Sequence, residues 1–238
     1  MHFNSANRAG LLAVALAAML LPSGNSLPVA QDQATRFPLN TNEHFELVNI
    51  AKAEVVTYRG RRATTLIPSP DHEKDETLAI LPDTSFKDGT IEADIAGFPG
   101  PTAAPDDRGF VGIAFHVQQH GARFECFYIR PTNGRADDQL RRNHSLQYVS
   151  VPDYPWERLR KESPGVYESY ADLETGAWTR IKIVVSGTKA QMFVNGASQP
   201  SLIVNDLKLG EASGQIALWT YSTTDAHFSN VTITKGQN

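Results

Sequence analysis

The twenty residues 177–196, AWTRIKIVVSGTKAQMFVNG, decide the fold class. Arg180 and Lys182 alternate with Ile181, Ile183 and Val185, so one face of the segment is apolar and the other charged. Alternation with a period of two marks a half-buried antiparallel strand. Ser186-Gly-Thr-Lys189 follows as a turn, Ala190-Gln-Met-Phe-Val194 as a second strand, and Asn195-Gly196 as a hairpin signal. The stretch predicts β structure with tight reversals and no helix.

The same pattern extends outward. In TIEADIA, residues 90–96, Ile91, Ala93 and Ile95 share one face and Glu92 and Asp94 the other. In FVGIAFHV, residues 110–117, Val111, Ile113, Phe115 and Val117 line one side, and Gly112, Ala114 and His116 the opposite one. Shorter strand candidates lie at 45–50, 53–58, 63–67 and 78–81, and a polar, proline-bounded loop at 68–76. Further ones lie at 215–221 and 226–234. Many short strands and almost no helical spacing predict an all-β protein, a two-sheet antiparallel β-sandwich.

The chain has 238 residues, 41% of them hydrophobic, and a net charge of −4. Without an overall basic excess, nucleic acid is not an expected partner. Cys126 is the single cysteine, which excludes an intramolecular disulfide. Near the start, Arg8 precedes the apolar run LLAVALAAMLL at 11–21, and small residues follow in Ser23-Gly-Asn-Ser26. That order is the pattern of a secretory signal peptide, and the run is short for a membrane span. The organisation read from this is a signal peptide at 1–26, an extended lead-in at 27–40, and a single β-sandwich domain at 41–238. The expected location is periplasmic or extracellular, with membrane contact only through an uncleaved leader.

Chemistry-bearing side chains concentrate between Glu125 and Tyr170. A long polar connection inside a regular domain is functional or disordered, and its aromatic content argues against disorder. His144, which follows Arg141-Arg-Asn143, is the leading proton carrier, with Glu125 as a second base and Arg130 as an electrostatic stabiliser. Arg141 and Arg142 offer planar donor forks for an anionic or carbonyl group. Tyr128, Tyr148, Tyr154 and Trp156 offer rings that stack on a sugar, and His116 completes the candidate binding set. The plainer alternatives are arginines paired with Asp137, Asp138 and Glu125, aromatics that pin the loop, and a structural His116. Asp106-Asp107 and Asp137-Asp138 offer oxygen ligands for a divalent metal such as Ca²⁺, without the spacing of a known calcium loop.

The segments GTIEAD (89–94), AWTRIKIVV (177–185), AQMFVNG (190–196), GQIALW (214–219) and HFSNVTI (227–233) resemble the concanavalin A-like lectin/glucanase superfamily, in its laminin-G-like branch. The nearest likeness is the 3-keto-disaccharide hydrolase domain family of exported bacterial proteins, covering roughly residues 89–235. The resemblance implies a jelly roll of two curved sheets, with a sugar on the concave one and the long polar loop over it. If Ile91, Val111, Phe127 and Ile181 face between the sheets, then Glu92, Asp94, His116, Tyr128, Arg130, Arg180 and Lys182 form the opposite set. His144 and Tyr148 would join that set, with Val149 and Val151 inward. One departure concerns family 16 glycoside hydrolases on this fold, whose motif is Glu-x-Asp-x-x-Glu. Here Glu92-Ala-Asp94-Ile-Ala-Gly97 lacks the last carboxylate, and retaining hydrolysis needs two carboxyl groups about 5 Å apart. Two functions follow as expectations: an exported protein that binds and cleaves a glycoside, or a non-catalytic glycan-binding module.

Overall fold

The computed structural model describes residues 1–2, 34–37, 39, 45–72 and 75–236. The leader read at 1–26 lies outside the described residues apart from Met1 and His2, as do 27–33, 38 and 40 of the lead-in. The strands in chain order are β1 (Ala34–Phe37), β2 (Glu46–Val48), β3 (Ile50–Tyr58), β4 (Arg61–Pro68), β5 (Glu76–Ile80), β6 (Gly89–Pro99) and β7 (Val111–Gln118). They continue with β8 (Arg123–Ile129), β9 (Leu146–Val151), β10 (Glu168–Ser169), β11 (Thr179–Ser186), β12 (Lys189–Val194), β13 (Leu202–Val204), β14 (Gln215–Tyr221) and β15 (Thr224–Lys235). Two short helices, α1 (Gln139–Asn143) and α2 (Trp156–Glu162), lie within the polar stretch.

The strands form two antiparallel sheets. The eight-stranded sheet runs β13-β12-β11-β6-β15-β4-β3, with β1 also paired to β15, and the seven-stranded sheet runs β10-β9-β8-β7-β14-β5-β2. This is a β-sandwich, as the alternation predicted, and a jelly roll, as the resemblance implied. The β11–β12 hairpin closes at Ser186↔Lys189, around Gly187 at φ +56°, a backbone state that glycine adopts without a Cβ penalty. Ile91, Ile95, Val111, Phe115, Phe127 and Ile181 are all buried in the core. Phe115 stacks on Phe127 with ring centroids 6.1 Å apart.

Three expectations about facing are corrected. Glu92, Asp94, Arg180 and Lys182 do face away from the core, but on the eight-stranded sheet, whereas Tyr128 and Arg130 belong to the β8 end of the other sheet. Alternation separates inward from outward residues; it does not say which sheet an outward residue belongs to. There Arg180 Nη2 lies 3.2 Å from Glu92 Oε1 and Arg61 Nη1 donates to Asp94 Oδ2 at 3.0 Å. At Gly97, where a third carboxylate would sit in the hydrolase motif, a Cβ would stand 2.6 Å from Gly109 O, so that position has no room for a side chain.

The second correction is β9. Phe127 pairs with Tyr148 and Cys126 with Val149, so Tyr148 points into the core and Val149 to the outer face. LQYVSV carries apolar residues on both parities, and a slip of one exchanges the faces. The third is His116. The β7–β8 register shifts between Phe115 and Gln118, and His116 sits at φ +52° in that bulge, which turns its ring inward.

Candidate functional site

The outer face of the seven-stranded sheet forms the floor of a cavity of about 820 Å³. Its aromatic base is Tyr128 of β8 stacked on Trp219 of β14, centroids 4.6 Å apart and planes 28° apart. The two strands are separated only by β7, whose Gly112 lies between them in the register. A Cβ on Gly112 would meet Phe127 O at 2.3 Å and the Tyr128 Cβ at 2.6 Å, so the missing side chain leaves room for the two rings to meet. Phe110 sets its edge against Tyr128 and Tyr221, at 6.1 and 5.7 Å.

One wall comes from the polar stretch, which is ordered rather than loose. Asp138 Oδ1 accepts the Arg141 backbone N–H at 2.7 Å and so caps α1. Trp156 opens α2 with 38% of its surface exposed, its ring lying 4.5 Å from Arg160 Cζ and 5.7 Å from Arg130 Cζ. Arg160 clamps Glu168 of β10 through two bonds of 2.7 Å. Around Glu168 gather His144, with Nε2 at 3.4 Å from Oε2, and Arg130, with Nη1 at 3.8 Å. Arg130 is 4% exposed and also donates to Tyr128 Oη, Gln147 Oε1 and His144 O.

Two titratable groups in this cavity are shifted in opposite senses. Burial lowers the His144 pKa from its usual 6.5; Glu168 opposes the shift, and Arg160 and Arg130 reinforce it. Glu76, the first residue of β5, is pushed up from 4.5 to about 7. Burial is the main cause there; the Trp219 indole partly offsets it, while Glu157 and Asp75 add to it. The Trp219 Nε1 is itself buried without the geometry of a hydrogen bond to any protein atom.

His144, Arg130, Tyr128, Arg141 and Trp156 of the predicted set therefore meet in one cavity. Glu125, His116 and Tyr148 do not, which corrects their assignment as site residues. Glu125 and His116 are 0% exposed: His116 Nδ1 lies 2.9 Å from Glu125 Oε2, and His116 Nε2 donates to Lys87 O. Glu125 Oε1 accepts from Tyr148 Oη at 2.8 Å and from the Leu209 N–H at 3.0 Å. Every polar atom of this trio is used inside the core, where no ligand reaches it. Arg142 and Tyr154 are not part of the cavity lining either. Arg142 bonds Tyr170 Oη, and Tyr154 packs under Arg158, 4.1 Å from Cζ to ring centroid.

Sequence reasoning missed Glu76, Glu168, Trp219, Arg108 and Arg160, which line or brace the cavity. Glu76 closes a loop rich in charges, and the strand beyond it was read from residue 78. Glu168 lies on a two-residue strand that has no alternation to read. Trp219 was within reach, since it shares parity with Tyr221 in a strand that was recognised.

Among the described residues no group of three or more His, Cys, Asp or Glu side chains is placed to hold an ion. Asp107 Oδ2 accepts the Ala104 N–H and Asp138 Oδ1 caps α1, so each of these two aspartates spends one oxygen inside the fold.

No family model matches the chain, and no curated protein matches it. Solved structures do. A Bacillus subtilis protein of unknown function with a galectin-like fold aligns at TM-score 0.55 and 12% identity, over 84% of this chain and 94% of that one. The carbohydrate-binding module CBM66 of Bacillus subtilis aligns at 0.51 and 11%, over 81% and 97%. The exoplasmic/lumenal domain of VIP36, in its Ca²⁺/Man3GlcNAc-bound form, aligns at 0.52 and 8%, over 87% and 90%. The fold is that of the concanavalin A-like and galectin-like lectins. At these identities the likeness speaks for architecture alone.

Proposed function

We propose that this protein binds a glycan in the cavity on the seven-stranded sheet. The observation that carries the reading is the composition of that cavity. Aromatic rings of Trp219, Tyr128, Phe110, Tyr221 and Trp156 stand beside fixed donors and acceptors on Arg130, Asn133, Arg160, His144 and Glu76. A sugar presents an apolar ring face and hydroxyl edges that both donate and accept, and this mixture matches it. Sugar-binding proteins among the structural neighbours support the same choice. The leader pattern at 1–26 supports a location outside the cytoplasm.

A glycan array probed with wild type and with Trp156→Ala tests this. Wild type is expected to bind at least one oligosaccharide class, and the variant to bind it about tenfold more weakly. A wild-type protein that binds no glycan would sink the reading.

A second reading, cleavage of the bound glycoside, is favoured by the opposite shifts of Glu76 and His144. A carboxyl raised to about 7 and an imidazole lowered from its usual value, sharing one cavity, are an acid and a base suited to neutral pH. On a 3-keto sugar, His144 would take the acidic proton beside the ketone. The C–O bond to the leaving sugar would then break, and Glu76 would return a proton to that oxygen. Turnover of a 3-keto-disaccharide that disappears in His144→Ala while binding persists supports cleavage. Intact 3-keto and plain glycosides after incubation with wild type leave binding as the whole activity.

A further inference from the structure

We propose that the ligand is an acidic glycan, and that Arg108 and Arg141 receive its carboxylate or sulfate group. The inference rests on the cavity being a glycan site and names the class of glycan. Both arginines line the cavity and both are half-buried. Each is held by neutral acceptors alone. Arg108 Nη1 donates to the carbonyls of Pro105 and Asp107, at 3.3 and 3.1 Å. Arg141 Nε donates to Asn133 Oδ1 at 2.9 Å, and its Nη2 to Thr132 Oγ1 at 3.1 Å and Thr132 O at 3.3 Å.

Among the described residues, no carboxylate lies within ion-pairing distance of either guanidinium. Among the described residues Arg108 Nε and Nη2 and Arg141 Nη1 make no hydrogen bond, so Arg108 keeps one edge of its fork open and Arg141 one terminal nitrogen. The contrast with Arg160, which spends its fork on Glu168, is direct.

Charges of both signs line the cavity. Glu76 has Glu157 and Asp75 as its charged neighbours. Arg108 has Arg141, Asp106, Asp107 and Arg130; its pKa is lowered by burial first and then by Arg141, against the opposing Asp106 and Asp107. Asp107 is tied to the Ala104 N–H and Asp138 to the cap of α1. Arg108 and Arg141 repel each other with no carboxylate in ion-pair contact, so an anion at their open donors would relieve that repulsion. A neutral sugar would leave them as they are.

The test is a glycan array carrying uronate-bearing, sulfated and neutral oligosaccharides, followed by calorimetric titration. The tightest acidic binder is compared with its charge-neutralised form, the methyl ester of a uronate or the desulfated sugar. The expected result is that acidic glycans bind and that neutralisation weakens binding about 10- to 100-fold. Raising sodium chloride to roughly 0.5 M should weaken the acidic form selectively. Arg108→Gln and Arg141→Gln, checked for an unchanged melting transition, should each weaken the acidic form several-fold more than the neutralised one. Preference for uronates over sulfates, or the reverse, identifies the anion. Binding confined to neutral glycans and lost in Trp156→Ala overturns the inference and leaves the glycan site standing. An acidic glycan bound as well after neutralisation also overturns it. A chain that binds no glycan at all ends both.

Discussion

Glu76 shows how a single carboxyl ties the cavity to the stability of the fold. Its proton is held more tightly in the folded chain, at about 7 against an ordinary 4.5. Between those two values the folded state carries more protons than the unfolded one, so stability falls as pH rises through the window and levels off above it. The loss amounts to at most about 3 kcal/mol. Glu76→Gln should remove it: in denaturant titrations near pH 5 and pH 8, wild type should lose stability that the variant keeps. Equal changes in both proteins would refute the assignment. Glu125 sits at the opposite extreme. Its two oxygens serve His116, Tyr148 and the Leu209 N–H in the core. Glu125→Ala strands all three partners and should cost about 3–5 kcal/mol of stability by urea denaturation. A residue that gave up so little as to leave the midpoint unchanged could not have this role.

At the scale of elements, the strand between the two stacked rings is the sensitive part. β7 can lie between Tyr128 and Trp219 only because Gly112 has no side chain. Gly112→Ala pushes a methyl group onto backbone atoms of β8, which cannot move aside as a flexible side chain would. We expect a stability loss of about 2–3 kcal/mol and weaker glycan binding; a thermal melt identical to wild type would contradict the geometry. Strands such as β6 and β11 were legible because each carries one polar face, which gives alternation a physical cause. The facing of β9 was not, since Gln147, Val149 and Val151 compete with Leu146, Tyr148 and Ser150 for the inner face and pairing to Phe127 decides it. His116 was misplaced for a different reason: a bulge breaks the period of two, and nothing in FVGIAFHV announces one.

For the whole molecule, the two-sheet sandwich could be read because it follows from many local patterns that agree. The cavity could be read only in part, because it depends on which sheet each outward residue joins. His144, Arg130, Tyr128, Arg141 and Trp156 are close in sequence, so a local cluster revealed them, whereas Glu76, Arg108 and Trp219 arrive from strands and loops far along the chain. The same arrangement supplies the most direct test of the central claim, that glycan binds on the seven-stranded sheet. The chain has three tryptophans. Trp156 and Trp219 line the cavity, while Trp178 lies on the other sheet, edge-on to Tyr58 at 5.6 Å and under Arg61. Titrating the tightest array binder into ¹⁵N-labelled protein and following the indole N–H resonances reads both sheets at once. The account predicts that the Trp156 and Trp219 signals shift while Trp178 stays fixed. A shift of Trp178 with the other two unmoved would contradict it.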